Sequence, residues 1–418
     1  MRNLLRSDFF KSISLLASGS IIAQLIGVIA SPIMTRLYTP EVIGEYTLLL
    51  TAIGIFGSII CGRFDIAIVS EPEESNILPL ITLSFLLTIF FSLIVSLGFS
   101  IYYCVSGYTI LQVIFSAISI LVLLILTGIA NILISYNNRY KEYKLMTTVT
   151  IIRAVAKEIP MVVGGFLWST SWSLVISNAL GIIFGVRKQS ERLQKTTEKL
   201  KAFKCVKKDD VKSVAVNNKR QLFFSTPALL ANNFSYSSVN IFIKELFGAG
   251  VLGLYSISYR LLGLPLDVIS SNISRVYLEK ASKDYNAEGN YTRCFLKTSL
   301  LLFGLMIPIM VALYLFAPWF CGWFFGEVYT EAGFYARLLI PLFAMRFIVS
   351  PLTVGSIISK KQNIDLFFQI TFIIVSILVF VVMKMYSLPL RDYLLSFSIA
   401  FAAIYIVFYL YLFNISRR

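Results

Sequence analysis

From Ile77 to Ser135 the chain runs 59 residues without a charged side chain. An apolar helix needs about 20 residues to cross the hydrocarbon of a bilayer, so this one stretch holds two crossings. Its natural break is Ser106-Gly107. Nine further stretches with few or no charges follow the same rule: 12–34, 46–62, 145–186, 221–243, 246–274, 298–326, 332–359, 366–383 and 393–416. The stretch 145–186 is again double, with a break at Trp168-Ser169-Thr170-Ser171, so ten stretches predict about twelve transmembrane helices. Charged residues are only 14% of the chain and apolar ones 57%, a balance no water-soluble core can hide. The fold class is therefore all-α, a polytopic membrane protein. The first apolar stretch is too long for the core of a secretory signal and reads as a retained first helix.

Lys and Arg set the orientation, because they concentrate in cytoplasmic segments. With the N-terminus inside, five of the 37 basic residues fall outside (Arg36, Lys244, Arg337, Lys384, Arg391) and most of the others lie on the cytoplasmic side. Both termini are then expected in the cytoplasm. Segment 187–220 carries twelve Lys/Arg against four Asp/Glu and joins the sixth helix to the seventh. It reads as a basic cytoplasmic linker held near an anionic leaflet, between an N-terminal six-helix bundle (1–186) and a C-terminal one (221–418). The net charge of +15 is explained by topology, and no nucleic acid is implied.

The two halves also resemble each other. Leu37-Tyr-Thr-Pro-Glu-Val-Ile-Gly-Glu-Tyr46 aligns with Leu246-Phe-Gly-Ala-Gly-Val-Leu-Gly-Leu-Tyr255 at an offset of 209 residues, half the chain, with four identities in ten. Each copy follows the first helix of its own half. Six helices per half make these parallel repeats, so two pseudo-symmetric bundles are expected, an arrangement used for alternating access.

Histidine is absent, which rules out Ser-His-Asp, Cys-His and His-zinc chemistry and weighs against an enzyme. The five cysteines (Cys61, Cys104, Cys205, Cys294, Cys321) contain no Cys-x-x-Cys pair and read as small buried apolar residues. No metal and no cofactor is implied. What stands out is charge inside the spans: Arg153, Lys157 and Glu158 in helix five, Arg260 and Asp267 in helix eight, Arg346 in helix ten. Each costs roughly 2.5–3.5 kcal/mol near a helix centre, so such residues normally face a bundle interior or a wet cavity. Arg153 and Lys157, four apart, share a helix face, as do Arg260 and Asp267, seven apart. Arg63, near the cytoplasmic end of helix two, and Arg36, just beyond helix one, extend the set. The excess is cationic, which suits an anionic substrate such as a diphosphate, bound by planar guanidinium groups. Snorkelling or structural ion pairing is the competing reading of the same residues. Glu158 and Asp267 stand as counter-ions or as binders of a coupling ion. Prolines within spans (Pro32, Pro160, Pro227, Pro265, Pro308, Pro341, Pro351) mark kinks or hinges, and Trp168, Trp172, Trp319 and Trp323 read as interfacial anchors.

Ser31-Pro-Ile-Met-Thr-Arg-Leu-Tyr-Thr-Pro-Glu-Val-Ile-Gly-Glu-Tyr46 resembles the opening signature of Wzx-type O-antigen flippases and related polysaccharide biosynthesis proteins. Gly62-Arg-Phe-Asp-Ile-Ala-Ile-Val69 continues it. In the second half the likeness includes Val251-Leu-Gly-Leu-Tyr-Ser-Ile-Ser-Tyr-Arg260 with Leu264-Pro265, Phe316-Ala-Pro318, Phe325-Gly326, Ala332-Gly333 and Arg346-Phe-Ile-Val-Ser-Pro351. One departure is Tyr329, where such proteins often carry Trp. The resemblance implies two six-helix bundles around a central V-shaped cavity, the fold of the multidrug/oligosaccharidyl-lipid/polysaccharide exporter superfamily. It also implies that undecaprenyl-diphosphate-linked oligosaccharide, the repeat unit of O-antigen or another surface polysaccharide, moves from the cytoplasmic to the periplasmic leaflet of a bacterial inner membrane. The polysaccharide polymerase and chain-length machinery are the partners it suggests, and a cationic cavity is the expectation for Arg36, Arg63 and Arg260.

Three other classes compete. A multidrug exporter of the same superfamily would favour acids in its cavity, against four intraspan bases and two acids here. A major-facilitator permease would show a Gly-x-x-x-Asp-Arg/Lys-x-Gly loop after its second helix, and Gly62-Arg-Phe-Asp does not fit. A membrane glycosyltransferase or polymerase would need a long external loop with catalytic acids, whereas the longest loop here is internal.

Overall fold

The computed structural model describes residues 8–196, 206–359, 361 and 363–417. Among these are fifteen α-helices and no strand. The first half holds α1 (Asp8–Leu37), α2 (Pro40–Phe56), a short α3 (Phe64–Ser70), α4 (Ile77–Val105), α5 (Ile110–Arg139), α6 (Tyr143–Leu167) and α7 (Ser171–Thr196). Then come α8 (Lys208–Asn217), a π turn at Gln221–Ser225, α9 (Thr226–Phe247), α10 (Ala249–Glu288), α11 (Thr292–Phe325), α12 (Thr330–Leu352), a one-turn α13 (Gly355–Ile358), α14 (Asn363–Tyr386) and α15 (Leu390–Ser416). The middle of the basic segment, 197–205, and with it Cys205, lies outside the described residues.

Twelve of these helices are long, as the apolar stretches predict, and seven of them are long and apolar enough to cross a membrane on length and composition alone. The remaining five are shorter or more polar. α2 is short at 17 residues, α6 holds Arg153, Lys157 and Glu158, α9 holds Asn232, Asn233 and Asn240, and both α7 and α10 run from apolar into charged sequence. The predicted breaks at Ser106-Gly107 and after Trp168 are real, with Gly107 at φ 78° making the turn that ends α4.

Helix two differs from its expected span of 46–62. It begins at Pro40 and ends at Phe56, and the chain then runs irregularly to Arg63. An unwound segment in lipid must satisfy its carbonyls. Here side-chain amides do so: Asn131 Nδ2 donates to the Gly57 carbonyl (2.9 Å), and Asn233 Nδ2 donates to the Ile55 carbonyl (3.0 Å) and to Ser58 Oγ (2.7 Å).

The chain forms two compact units, one of 1–38 with 48–233 and one of 39–47 with 234–418. In the first unit, small residues let helices approach, as expected where lipid supplies no hydrophobic drive between them. Ser84, Thr88, Ser92 and Ser96 recur every fourth residue on one buried face of α4, against Gly128, Ser116 and Ser119 of α5. The Ser96 hydroxyl donates to the Ala117 carbonyl (2.8 Å). At the end of α1, buried Tyr38 shares a hydrogen bond with Ser173 Oγ (2.9 Å), donates to the Met161 carbonyl (2.8 Å) and packs on Gly164 and Gly165. At the opposite end of the unit, Arg139 reaches from α5 to the Ile68 and Glu71 carbonyls and pairs with Glu74 (3.1 Å).

In the second unit the repeat copies meet. A Cβ on Gly44 would stand 1.8 Å from the Ala249 carbonyl oxygen, and one on Gly253 would stand 1.9 Å from the Pro40 carbonyl oxygen. At the 209-residue offset Pro40 corresponds to Ala249 and Gly44 to Gly253. The two contacts are therefore one contact seen from each side of a local two-fold relation. Elsewhere in this unit, Gly333 of α12 lies against the Pro318 backbone of α11, and Ser258 donates to the Ala332 carbonyl (2.6 Å). Pro341 disturbs the ladder of α12, and the Leu342 N–H beside it donates to Ser398 Oγ on α15 (3.1 Å).

Candidate functional site

Each unit holds part of the cationic set. On α6 of the first unit, Lys157 Nζ lies 3.2 Å from Glu158 Oε1. Glu158 is buried and faces Gly27 of α1, while the Lys157 stem lies over Gly181 of α7. One turn earlier the Arg153 stem lies over Gly185, where an added Cβ would come within 2.3 Å of Arg153 Cγ. Gly181 and Gly185 thus make the channel in α7 that carries both stems, and the two cations do share a face. Their electrostatics differ. Lys157 is neutralised by its neighbour, whereas Arg153 has no ion pair among the described residues.

Arg63 sits apart from that pair, at the exit of the irregular segment. Gly62 (φ 60°) and Arg63 (φ 64°) are consecutive left-handed residues, a conformation costing about 1–2 kcal/mol for a side chain with a Cβ. Together they turn the chain into α3. The Arg63 Nε is buried without a hydrogen-bond partner, and buried Asp65, close enough to feel the Arg63 charge, leaves its Oδ1 unpaired too. Arg36 is exposed at the end of α1, with Nη1 on the Pro32 carbonyl (3.2 Å).

In the second unit Arg346 of α12 occupies an aromatic box. Its guanidinium stands 4.8 Å from the ring centre of Tyr236, and 5.8 Å from those of Tyr259 and Phe343. Nη1 donates to the Tyr259 hydroxyl, and the Tyr236 and Tyr405 hydroxyls are hydrogen-bonded at 3.0 Å. Ring faces attract a cation with their quadrupole but leave its net charge unneutralised. No carboxylate pairs with Arg346 among the described residues. Arg260, half-buried on α10, directly follows Tyr259 in the chain. The side chains of Asp267 and Pro265 lie outside the described residues, so the expected pairing of Asp267 with Arg260 does too.

The tyrosines around Arg346 are the members of this candidate site that sequence reasoning missed. Tyr236, Tyr259 and Tyr405 sit mid-span, where an interfacial role does not fit, and Tyr259 directly precedes an intraspan arginine; those two positions were the available signal. Asn131, Asn233 and Asp65 were missed as well. Trp168, Trp319 and Trp323 are largely exposed toward helix ends, as anchors should be, and Trp172 packs against Phe115 with the rings tilted. Among the described residues no group of His, Cys, Asp and Glu is arranged to hold a metal ion.

The comparisons with solved structures show the fold, which is one shared by transporters of the MOP superfamily. An inward-facing multidrug resistance MATE family transporter of that superfamily matches with a TM-score of 0.68 over 95% of this chain and 98% of its own, at 13% identity. A MOP superfamily transporter from Pyrococcus furiosus, described as having a binding pocket of reversed polarity, matches with a TM-score of 0.62 over 99% and 97%, also at 13% identity. The outward-facing form of a multidrug resistance MATE family transporter matches at 0.60 over 99% and 97%, at 14% identity. No curated protein sequence matches the chain. Residues 33–333 match the model of the polysaccharide biosynthesis protein family, and the chain belongs to that family. The fold is one that membrane transporters of known structure have.

Proposed function

We propose that this protein is a flippase that carries undecaprenyl-diphosphate-linked oligosaccharide, a repeat unit of O-antigen or another surface polysaccharide, across the bacterial inner membrane by alternating access. Both termini face the cytoplasm in this reading, and the polymerase and chain-length machinery receive the product. The observation that carries it is the aromatic box of Arg346. An arginine placed in a span with tyrosines instead of a carboxylate keeps a full positive charge and free N–H donors available to an anion. Arg153 and Arg63, likewise without an ion pair, add cationic sites in the first unit, and Arg36 and Arg260 extend the set. Lys157 is assigned to balancing Glu158. A carrier of cationic drugs would need the opposite bias, unpaired carboxylates in its spans. Of the two acids predicted inside spans, the one whose side chain is described, Glu158, is already paired.

The test is export at equal protein levels in the membrane of a deletion strain complemented with variants. Arg346→Ala removes charge-assisted hydrogen bonds worth about 1.5–3 kcal/mol each, so surface glycan should fall roughly tenfold or more, with lipid-linked repeat units accumulating on the cytoplasmic leaflet. Arg346→Lys keeps the charge but loses the planar fork and should export at an intermediate level. Full export by Arg346→Ala, or drug sensitivity with normal glycan in the deletion strain, overturns the proposal.

A further inference from the structure

α2 stops short of where its own backbone could carry it. Past Phe56 the chain holds itself by tight turns, with the Ile59 N–H on the Phe56 carbonyl (3.0 Å) and the Gly62 N–H on the Ile59 carbonyl (2.8 Å). Among the described residues the backbone N–H groups of Ser58, Ile60 and Cys61 have no acceptor. Ile60 and Cys61 are each 1% exposed, so water does not stand in for the missing partners, and a buried N–H in that condition is unfavourable. A continued α-helix would bond all three to the carbonyls four residues back, those of Gly54, Phe56 and Gly57, and would move the Ile59 N–H to the Ile55 carbonyl.

Two of those four carbonyls are turned to side-chain amides instead. Asn233 Nδ2 donates to Ile55 (3.0 Å) and Asn131 Nδ2 donates to Gly57 (2.9 Å). With its helical acceptor held by Asn233, Ile59 stays on Phe56, and Ile60 in turn loses Phe56. The stopping point of a longer helix is already in place: Gly62 stands at φ 60°, the left-handed conformation of a residue just past a helix end. The sequence from Gly57 to Cys61 is apolar enough to continue the span.

We propose that α2 is a helix of two lengths, ending at Phe56 while Asn233 holds the Ile55 carbonyl and winding on through Cys61 when that amide withdraws. The five added residues make about 7 Å of new helix. Asn233 is the last residue of α9 in the first unit, since Phe234 onward belongs to the second, so a displacement of α9 is read inside the first unit as an extra turn of α2. α9 is also entered through the π turn at Gln221–Ser225, a wide turn of the kind that recurs at functional points in helices. The device consists of hydrogen bonds within the first unit and stands whatever the protein carries.

The test is amide hydrogen exchange of the purified protein in nanodiscs, resolved to single residues by mass spectrometry with electron-transfer fragmentation. In wild type the Ile60 and Cys61 amides should exchange ahead of the α2 interior. Asn233→Leu should slow Ile60 by about five- to tenfold, the worth of one net hydrogen bond, because Ile59 moves to Ile55 and releases Phe56. Adding Asn131→Leu should extend the slowing to Cys61, whereas Asn131→Leu alone should leave Ile60 unchanged. Asn233→Gln keeps an amide and should exchange as wild type does. Asn233→Ala serves as a second release variant should the leucine not fold, with cooperative melting as the criterion of folding. Wild-type exchange at Ile60 in a folded release variant overturns the switch, as does exchange of Ile60 and Cys61 in wild type as slow as the α2 interior. Equal slowing in Asn233→Gln overturns the part given to the amide.

Discussion

The contact between the two repeat copies makes a quantitative prediction. A methyl group at Gly44 would sit 1.8 Å from the Ala249 carbonyl oxygen and 2.6 Å from its carbon, both backbone atoms of a helix that no rotamer change can move. Ordinary carbon–oxygen contact begins near 3.4 Å, so Gly44→Ala must open the crossing of α2 and α10 by about 1.5 Å. Overpacking of that kind costs about 1–3 kcal/mol, and the upper half of the range applies because backbone opposes the methyl. Gly253→Ala meets the Pro40 carbonyl at 1.9 Å and should cost the same within about 0.5 kcal/mol. Once either methyl has parted the helices, the second finds the space already open. The double variant should then be less destabilised than the sum of the singles by about 1 kcal/mol or more. Gly304→Ala, where nothing lies within 4 Å, is the control and should be neutral or slightly stabilising from helix propensity. Thermal unfolding of the detergent-purified protein, followed by circular dichroism, reads all four. Wild-type melting by both single variants, or strict additivity in the double, would refute the shared crossing.

Two further outcomes follow from side chains in the first unit. Asn233→Leu leaves the Ile55 carbonyl without its donor and should destabilise the protein by about 1–3 kcal/mol in the same melting assay, while Asn233→Gln, with the same amide on a longer stem, should recover part of the loss. Lys157→Gln should impair accumulation of the protein in the membrane because it strands buried Glu158, and adding Glu158→Gln should restore it; failure of the second change to rescue would return Lys157 to the anion-binding set.

The spans and most of their breaks were legible because hydropathy and turn chemistry are local properties. Gly107 needs only its own φ to end α4, and the polar run after Trp168 announces its own turn. The end of helix two was not legible for the opposite reason. Gly57 to Gly62 reads Gly-Ser-Ile-Ile-Cys-Gly, apolar enough to continue a span, and what permits it to unwind is a pair of amide donors 74 and 178 residues away in the chain. The signature from Ser31 to Tyr46 illustrates a different limit. It identifies the family, yet Tyr38, Pro40 and Gly44 prove to be packing residues: a hydroxyl that ties α1 to α6 and α7, and a close helix crossing.

The intraspan charges show why counting them is a weaker guide than locating their partners. Insertion cost depends on the charge alone, and by that measure Lys157 and Arg346 are equivalent. Their surroundings separate them. Lys157 ends on a carboxylate contributed by the adjacent residue, an arrangement that cancels the charge and leaves little for a ligand. Arg346 ends among Tyr236, Tyr259 and Phe343, drawn from three helices of one unit, which stabilise the cation by ring quadrupoles and a neutral hydroxyl without cancelling it. A residue needed only for stability would be better served by a carboxylate or by an apolar replacement, since uncompensated charge in a low-dielectric site costs more than a pair. An arginine held in position with its charge intact is what a membrane protein needs in order to receive an anion, and that is why the proposed function rests on Arg346 more than on any other member of the set.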